Sequence, residues 1–207
     1  MKKNKAYFIT FEGIDGCGKT TQLNRAFDYL SAAGLAVSKL REPGSTRAAE
    51  KIREILLDKN NHLTDITELL LYEAARSDII EKEIGPLLKN NHIVLCDRFY
   101  DSTTAYQGYG RRLDITMVLN LHRIAVGALR PDLTLVYDID LKTAAGRRKT
   151  APDRLESQPE AFFERVRRGF LEIARHEGDR VKVIDARATI DDVFEQTRKH
   201  LDRVLGK

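Results

Sequence analysis

Alternating strand and helix patterns along the chain predict an α/β fold in which a parallel sheet is flanked by helices. Two observations support this prediction. A glycine-rich loop at residues 13–20 lies between an apolar run and an amphipathic segment, and a later apolar run, residues 93–96, ends in a charged pair. Buried parallel strands carry polar residues in this way at their ligand-binding ends. With 207 residues and 42% hydrophobic content, the chain has the size and core of one domain, which we place at residues 1–207.

Five segments have the apolar, β-branched character of strands. They lie at residues 6–11, 35–40, 93–96, 133–137 and 181–184. At least one segment of helical periodicity separates each of them from the next, which is the order that a parallel sheet requires. We therefore predict a five-stranded parallel sheet.

Helices are predicted wherever apolar residues recur at intervals of three and four. The first follows the glycine-rich loop through Leu23 and Leu30, and Gly34 is expected to end it. Gly85-Pro86 is a candidate interruption of the third helix, and residues 99–113 receive no assigned element. The later helices are predicted around residues 48–56, 64–88, 114–129, 141–149, 162–174 and 193–205.

The glycine-rich loop, Gly13 to Thr20, fits the phosphate-loop pattern G-x-x-x-x-G-K-[ST] at every fixed position. Glycines let successive backbone N–H groups turn toward one point, and the following helix directs its positive end to the same point. We expect Lys19 to reach the β- and γ-phosphates of a nucleoside triphosphate and the Thr20 hydroxyl to ligate Mg²⁺. The alternative is a tight glycine turn that binds nothing, and the flanking strand and helix argue against it.

A carboxylate and a guanidinium follow the apolar run at residues 93–96. From the end of a strand, Asp97 would hold Mg²⁺ directly or through water, as carboxylates do in phosphate-loop enzymes. The planar fork of Arg98 suits a phosphate group. A surface salt bridge is the alternative for Asp97, and the nearby phosphate loop makes it the weaker explanation.

Tyr72 and Arg76 lie four residues apart on a predicted helix and therefore project from one face. An aromatic plane beside a cation suits a nucleobase, because stacking contributes about 1–3 kcal/mol per base. Periodicity alone favours another interpretation, a core tyrosine packed on its own i+4 arginine. The sequence leaves both interpretations open.

A basic segment surrounds Pro152 and contains Arg147, Arg148, Lys149 and Arg154. Such a segment could fold over ATP and bring positive charge to the transferring phosphoryl group. A solvated helix end is an equally good explanation of these residues alone.

Composition limits the classes of partner and compartment. A net charge of +4 comes from 35 basic and 31 acidic residues spread along the chain, so we expect no nucleic-acid partner. No stretch approaches the length of a membrane span, and a signal cleavage near the basic start would remove the phosphate loop. We therefore expect no membrane partner and a cytoplasmic location. Cys17 and Cys96 are too few for a disulfide framework or a metal site, and Cys17 is expected to be a small loop residue rather than a reactive thiol.

These motifs together resemble the thymidylate kinases, nucleoside-monophosphate kinases that make dTDP. The resemblance runs almost end to end. It implies the P-loop nucleoside-monophosphate-kinase fold, transfer of the γ-phosphoryl group of ATP to dTMP with Mg²⁺, and a homodimer. A broader deoxynucleotide kinase or a nucleoside kinase is the alternative function. The residues that carry the resemblance are 11–21, 41–46, 97–99, 102–108, 130–134 and 153–156, together with Tyr72 and Arg76.

The resemblance also implies roles on the acceptor side. Asp15 would accept a hydrogen bond from the deoxyribose 3′-OH, and Arg98 would clamp the phosphate of dTMP. Tyr72 would stack on thymine while Arg76 contacts its O4 edge. Thr103 would face N3 of the base. The other substrate-binding residues that the resemblance implies are Glu42, Pro43, Tyr106 and Gln107.

On the donor side, the resemblance implies a short lid at about residues 146–156. Some relatives carry an arginine at the position of Gly16, and in the others the lid supplies the cation; this chain resembles the second group. The ATP-binding residues that it implies are Gly13, Gly16, Cys17, Gly18, Lys19, Thr20, Thr21 and Arg147. The expected catalytic residues are Lys19, Asp97, Arg98, Arg148 and Lys149, and the expected metal ligands are Thr20 and Asp97.

Overall fold

A parallel sheet forms the centre of the molecule in the computed structural model, which describes residues 5–147 and 153–206. Its strands are β1 (Tyr7–Glu12), β2 (Val37–Arg41), β3 (Ile93–Asp97), β4 (Leu133–Asp138) and β5 (Val181–Asp185). They lie in the order β2-β3-β1-β4-β5. All neighbouring strands are parallel, which confirms the predicted five-stranded parallel sheet.

Helices alternate with these strands along the chain. Thr46, Thr64, Asp114 and Thr189 each cap a helix by accepting a hydrogen bond from the backbone N–H three residues later. None of the helices in residues 5–147 and 153–206 combines the length and the hydrophobicity that a bilayer span needs. The helices are α1 (Lys19–Ala32), α2 (Arg47–Leu57), α3 (Asp65–Ile79), α4 (Gly85–Lys89), α5 (Tyr100–Thr103), α6 (Ile115–Val126), α7 (Leu141–Arg147), α8 (Glu160–His176) and α9 (Ile190–Leu205).

The helix predicted over residues 64–88 continues through its glycine-proline pair rather than stopping there. A π-helical turn, Ile80–Ile84, joins α3 to α4. Pro86 follows this wider turn at the start of α4. Because proline cannot donate the backbone hydrogen bond of a regular helix, a local change of helical pitch lets the chain keep its direction.

The segment without a predicted element, residues 99–113, is largely helical. α5 continues into a π-helical segment, Thr104–Gly110, and almost every residue of both is buried. A Cβ atom at Gly110 would lie 2.7 Å from Cε2 of Phe162 in α8, so glycine permits the close contact with α8. Glycines and β-branched threonines hide the helical pattern from the sequence, and packing against α8 overrides these propensities.

The apolar core has two parts, one on each face of the sheet. Alternate residues of the strands point to opposite faces, as in Phe8 and Ile9 of β1. The face that contains Ile9 is covered by α1, α8 and α9, and the face that contains Phe8 is covered by α3, α4 and α6. The helices thus cover the two faces of the sheet, and the loops that follow the strands lie at its carboxyl edge.

Three strand ends lie level with one another at that carboxyl edge. Phe11 of β1 pairs with Asp97 of β3, and Arg41 of β2 pairs with the same residue. The phosphate loop after β1, the Asp97-Arg98 pair after β3 and the Glu42-Pro43 segment after β2 therefore emerge side by side. In open α/β sheets this edge is where ligands bind.

Candidate active site

The phosphate loop joins β1 to α1 with the strand-loop-helix geometry that its motif requires. Gly16 has φ 87°, a conformation that favours glycine. A Cβ atom there would also lie 2.2 Å from the carbonyl oxygen of Ala144 in α7, so the loop accepts no side chain at this position. Lys19 opens α1 and holds its Nζ 3.6 Å from Oδ1 of Asp15 and 3.4 Å from Oδ1 of Asp97.

Cys17 in the loop and Thr21 just after it have different surroundings. Cys17 is buried, and burial raises the pKa of its thiol, so the thiol stays protonated and unreactive. This agrees with the predicted role as a small loop residue. Thr21 is exposed in the first turn of α1.

Thr20 and Asp97 meet beside Lys19. The Thr20 hydroxyl donates a hydrogen bond of 2.8 Å to Oδ2 of Asp97, and it remains exposed to solvent. Within residues 5–147 and 153–206, no group of three or more histidine, cysteine, aspartate or glutamate side chains is arranged to hold a metal ion. The protein oxygens available at this point are the Thr20 hydroxyl and the Asp97 carboxylate. Such a small set suits Mg²⁺, because this ion usually takes few protein ligands and completes its shell with water and phosphate oxygens.

Arg98 directly follows Asp97 and also contacts the phosphate loop. Its Nη1 donates to the Gly13 carbonyl and to Ser102 Oγ, each at 3.0 Å, and its Nη2 donates to Oδ1 of Asp15 at 2.7 Å. Burial opposes the charge of Asp15, but Arg98 and Lys19 outweigh it and hold the pKa of this carboxyl well below its usual range. Both predicted phosphate-binding cations thus contact the same carboxylate oxygen.

Glu12, the last residue of β1, contacts the segment that directly follows Arg98. It is a residue that the sequence analysis missed. Its side chain is fully buried and accepts hydrogen bonds from the Phe99 N–H at 2.7 Å and from Ser102 Oγ at 2.5 Å. These bonds hold the chain around Arg98, whose φ of 70° is unusual for a residue with a side chain. Burial, reinforced by the charge of Asp101, raises the pKa of Glu12 from 4.5 to about 8.

We expect the substitution Glu12→Gln to change how stability depends on pH. A carboxyl group whose pKa is higher in the folded than in the unfolded state stabilises the fold fully below pH 4.5, and this contribution is lost as the pH rises toward about 8. Glutamine resembles the protonated carboxyl, because its oxygen can accept from Phe99 and its amide can donate to Ser102. Urea unfolding of both proteins at pH 5.5, 6.5 and 7.5 measures how the free energy of unfolding depends on pH. The free energy of unfolding should fall with pH more steeply in the wild type than in the variant, and equal slopes would contradict the burial of a protonated Glu12.

A cleft opens between the Arg98 loop and α3. Tyr72 and Arg76 both line it, which confirms that they project from one face of their helix. Tyr72 is half-buried at the wall of the cleft rather than packed in the core. The other predicted acceptor-side residues that line the cleft are Asp15, Glu42, Pro43, Arg98, Thr103, Tyr106 and Gln107.

Arg76 is fixed by acceptors on three sides. Its Nε donates to Glu42 at 2.8 Å, its Nη1 to Glu73 at 2.7 Å and its Nη2 to Thr103 at 2.8 Å. Only 1% of the residue is exposed. Burial opposes the charge, but Glu42 and Glu73 more than compensate and raise the pKa of Arg76, so the guanidinium is a permanent cation in the wall of the cleft.

Glu68 forms a second buried anchor, next to Gln107 of the cleft wall. It accepts a hydrogen bond of 2.8 Å from Nε2 of Gln107, one of 3.0 Å from Nη2 of Arg111 and one of 2.6 Å from Nη2 of Arg154. Arg154 also donates to the carbonyl of Leu56, so this member of the predicted basic segment is held against α2 and α3 and does not extend over the phosphate loop. The sequence offers no signal for these pairings, because they join residues more than 35 positions apart.

Arg53 is another cleft residue that the sequence analysis missed. It lies on α2, lines the cleft and donates from Nη1 to the Pro43 carbonyl at 3.1 Å. Burial and the nearby charge of Arg41 lower the pKa of Arg53. Its signal in the sequence is weak, since an arginine beside the apolar stripe of an amphipathic helix is usually a solvated residue.

The predicted lid residues are only partly described. Arg147 ends α7, and its Nη1 donates to the carbonyl of Ala186 after β5 at 2.9 Å. It therefore lies at the same edge of the sheet as the phosphate loop, on the side away from the cleft. Arg148 and Lys149 lie outside the described residues.

Comparison with known proteins agrees with this geometry. The family described as thymidylate kinase matches residues 11–197. A thymidylate kinase of Kosmotoga olearia is 44% identical over 202 residues, covering 97% of each chain, and one of Geobacter sulfurreducens is 49% identical over 188 residues, covering 86% of this chain and 88% of the relative. The solved structure of thymidylate kinase from Ehrlichia chaffeensis superposes with a TM-score of 0.79 at 37% identity and covers 96% of this chain and 99% of that one.

The match of the family covers most of the chain, and the solved structure shares its fold along almost the whole length. The five-stranded parallel sheet with its phosphate loop is thus the P-loop nucleoside-monophosphate-kinase fold. The chain belongs to the thymidylate kinase family.

Proposed function

We propose that this protein transfers the γ-phosphoryl group of ATP to dTMP and releases ADP and dTDP. One observation carries the proposal beyond family membership. Lys19, the donor-side cation, and Arg98, the acceptor-side cation, both contact Oδ1 of Asp15. Phosphate groups held by these two cations would lie close enough for direct transfer, which is the positioning that phosphoryl-transfer enzymes provide.

On the donor side, the backbone N–H groups of the phosphate loop would hold the β- and γ-phosphates of ATP. Lys19 would stabilise the negative charge of the phosphoryl group during its transfer. Thr20 and Asp97 are the oxygen ligands available for Mg²⁺, and a bound Mg²⁺ would neutralise charge that develops on the phosphate oxygens. Asp97 need not act as a base, since the acceptor is an ionised phosphate.

On the acceptor side, Arg98 would bind the phosphate of dTMP with its planar fork, and Arg53 supplies a second cation in the same cleft. Asp15, held as a carboxylate, would accept the 3′-OH of the deoxyribose. Tyr106 places its hydroxyl 3.3 Å from both Asp15 and Arg98, so its ring occupies the wall where a ribose 2′-OH would need space.

The base-binding end of the cleft has the polarity that thymine requires. A carboxylate only accepts hydrogen bonds, so the atom of the Gln107 amide that contacts Glu68 is its NH₂ group. The carbonyl oxygen of the amide is then available to accept from N3–H of thymine. Arg76 is a donor suited to O4. Cytosine presents an acceptor at N3 and a donor at N4, so it meets like groups at both positions. Tyr72 would stack on the base, and Thr103, which accepts from Arg76, would face N3 of the base together with Gln107.

We place the remaining catalytic cation in the lid at about residues 146–156, at Arg148 or Lys149. The closed space at Gly16 supports this proposal, because the phosphate loop has no room for a side chain there. Arg147, next to Ala186, would contact the donor nucleotide. Turnover numbers of Arg147→Ala, Arg148→Ala and Lys149→Ala would identify the residue, and three wild-type values would contradict a lid cation.

We also propose a homodimer. Large apolar side chains are exposed on two helices that pack against each other, Ile66 and Leu70 on α3 and Leu119 and Ile124 on α6. Exposed apolar groups of this kind mark interfaces between chains. Sedimentation velocity tests the proposal, which a monomer at micromolar concentration would contradict. A cytoplasmic location stays a prediction from the sequence.

The assay for the proposed function is coupled ADP release with ATP, Mg²⁺ and one acceptor at a time. We expect turnover with dTMP, weaker turnover with dUMP, which lacks only the methyl group, and at least about 100-fold lower kcat/KM with dCMP because it mismatches two buried polar groups. AMP and thymidine serve as controls for a broader nucleotide kinase and for a nucleoside kinase. Equal activity on dCMP and dTMP would contradict the assignment of the base-binding end.

A further inference from the structure

A buried line of polar contacts leads from the base-binding end of the cleft to α6, behind the cleft wall. Its first member is Arg76, whose orientation depends on Glu42, Glu73 and Thr103. Only 1% of this residue is exposed, so the position of its guanidinium follows that of its partners. Any residue that fixes Glu73 therefore also fixes Arg76.

Glu73 contacts two donors through one oxygen. Its Oε1 accepts from Nη1 of Arg76 at 2.7 Å and from Nδ1 of His122 in α6 at 2.8 Å. Its Oε2 is buried and has no hydrogen-bond partner within the described residues. Without His122, the carboxylate would be free to rotate and exchange its two oxygens, and the angle at which it meets Arg76 would change.

His122 is itself held from its other side. Its Nε2 lies 2.9 Å from Oγ1 of Thr104, its ring lies 5.4 Å from that of Tyr100, and 6% of the residue is exposed. Because the carboxylate of Glu73 can only accept, Nδ1 of His122 must carry a proton. Thr104 directly follows Thr103, the third partner of Arg76. The contacts therefore form a closed ring that runs from Arg76 through Glu73 and His122 back to the Thr103-Thr104 segment.

We propose that His122 and Thr104 are positioning residues for recognition of the acceptor base, acting through Glu73 on Arg76. Neither side chain lines the cleft, so neither can contact the substrate directly. The inference rests on the proposed role of Arg76 toward O4 of the acceptor base. It predicts that His122 affects binding and choice of the acceptor while leaving ATP binding and the chemical step nearly unchanged.

Two substitutions of His122 separate its two contacts. Asparagine places an N–H near the position of Nδ1 and keeps the contact with Glu73, whereas glutamine reaches the position of Nε2 and loses it. We expect His122→Asn to stay within about threefold of the wild-type KM for dTMP, and His122→Gln to raise it about tenfold, as the loss of a buried charge-assisted hydrogen bond implies. His122→Gln should also lower the preference for dTMP over dCMP about tenfold, with kcat and the KM for ATP within about twofold of the wild type.

The same assays separate failure of this inference from failure of the proposed function. Wild-type protein that does not phosphorylate dTMP overturns the proposed function. If the wild type is active, a wild-type KM for dTMP in His122→Gln overturns the positioning role, and so does an equal loss in His122→Asn. A joint fall in kcat and rise in the KM for ATP would show general damage to the fold and would also overturn it.

Thr104→Val provides the test if His122→Gln does not fold. Valine keeps the shape of threonine, removes the hydroxyl at Nε2 and leaves the contact between His122 and Glu73 in place. We expect a rise of about threefold in the KM for dTMP with an unchanged KM for ATP, because only the outer support of the ring is lost. An unchanged KM for dTMP in a folded Thr104→Val protein overturns the proposal.

Discussion

Replacing Arg98 with alanine is expected to lower kcat for dTMP phosphorylation by about 10³-fold, the scale at which an arginine contributes to phosphoryl transfer. The substitution removes the planar fork that faces Asp15 and the Gly13 carbonyl. It also leaves Asp15 with Lys19 as its one contacting cation in the described part of the chain, so a carboxylate would face the incoming phosphate. Stopped-flow or steady-state ADP release measures the effect.

Arg98→Lys is the matched variant, because lysine keeps the charge and loses the bidentate geometry. We expect its kcat to lie between those of wild type and Arg98→Ala. Arg175→Ala, which removes an exposed arginine on α8, should leave turnover unchanged. Near-wild-type turnover in a folded Arg98→Ala protein would remove Arg98 from the proposed transfer site.

Replacing Lys19 with alanine is expected to have an effect of similar size on the donor side. Lys19 is the cation between Asp15 and Asp97, and 9% of the residue is exposed, so no water layer can substitute for it. Its loss leaves two carboxylates facing the γ-phosphate, and we expect kcat to fall by about 10³-fold, since charge stabilisation in such a site is worth several kcal/mol. Steady-state kinetics with saturating dTMP measures this.

The control for Lys19 is Lys39→Ala. Lys39 is exposed on β2 and donates to Asn24 on the exposed face of α1, not to a residue of the loop, so its removal should leave kcat and the KM for ATP unchanged. Circular dichroism and thermal unfolding establish that both variants are folded. A Lys19→Ala protein with wild-type turnover would show that the phosphate loop does not hold the donor nucleotide in the proposed way.

Local patterns in the sequence were sufficient to predict the sheet and to single out Lys19 and Arg98, the two cations that contact Asp15 in the structure. The five strands are short apolar runs, and the phosphate loop is a motif with fixed spacing, so each can be recognised without knowledge of the fold. The pair Tyr72 and Arg76 was recognised by its four-residue spacing, but whether it faced the core or a cleft became clear only when α3 was placed beside the cleft.

The supporting residues of the site could not be predicted, because their partners are distant in sequence. Glu12 meets Phe99 and Ser102 across more than 80 positions, and Arg154 meets Glu68 across 86. Single residues of this kind have no periodicity or motif. The helix at residues 100–110 was missed for a different reason. Gly108 is required by its contact with Ile115 of α6 and Gly110 by its contact with α8, and both glycines lower the intrinsic helix propensity.

The central claim is that the cleft beside the phosphate loop binds dTMP with its phosphate toward Arg98 and its base toward Arg76 and Gln107. A crystal structure of the protein with dTMP tests it most directly. We expect the phosphate within hydrogen-bond distance of Arg98, O4 of thymine facing the Arg76 guanidinium and N3 facing the carbonyl oxygen of the Gln107 amide. A bound dTMP whose base lies outside this cleft, in a protein that phosphorylates dTMP normally, would contradict the account.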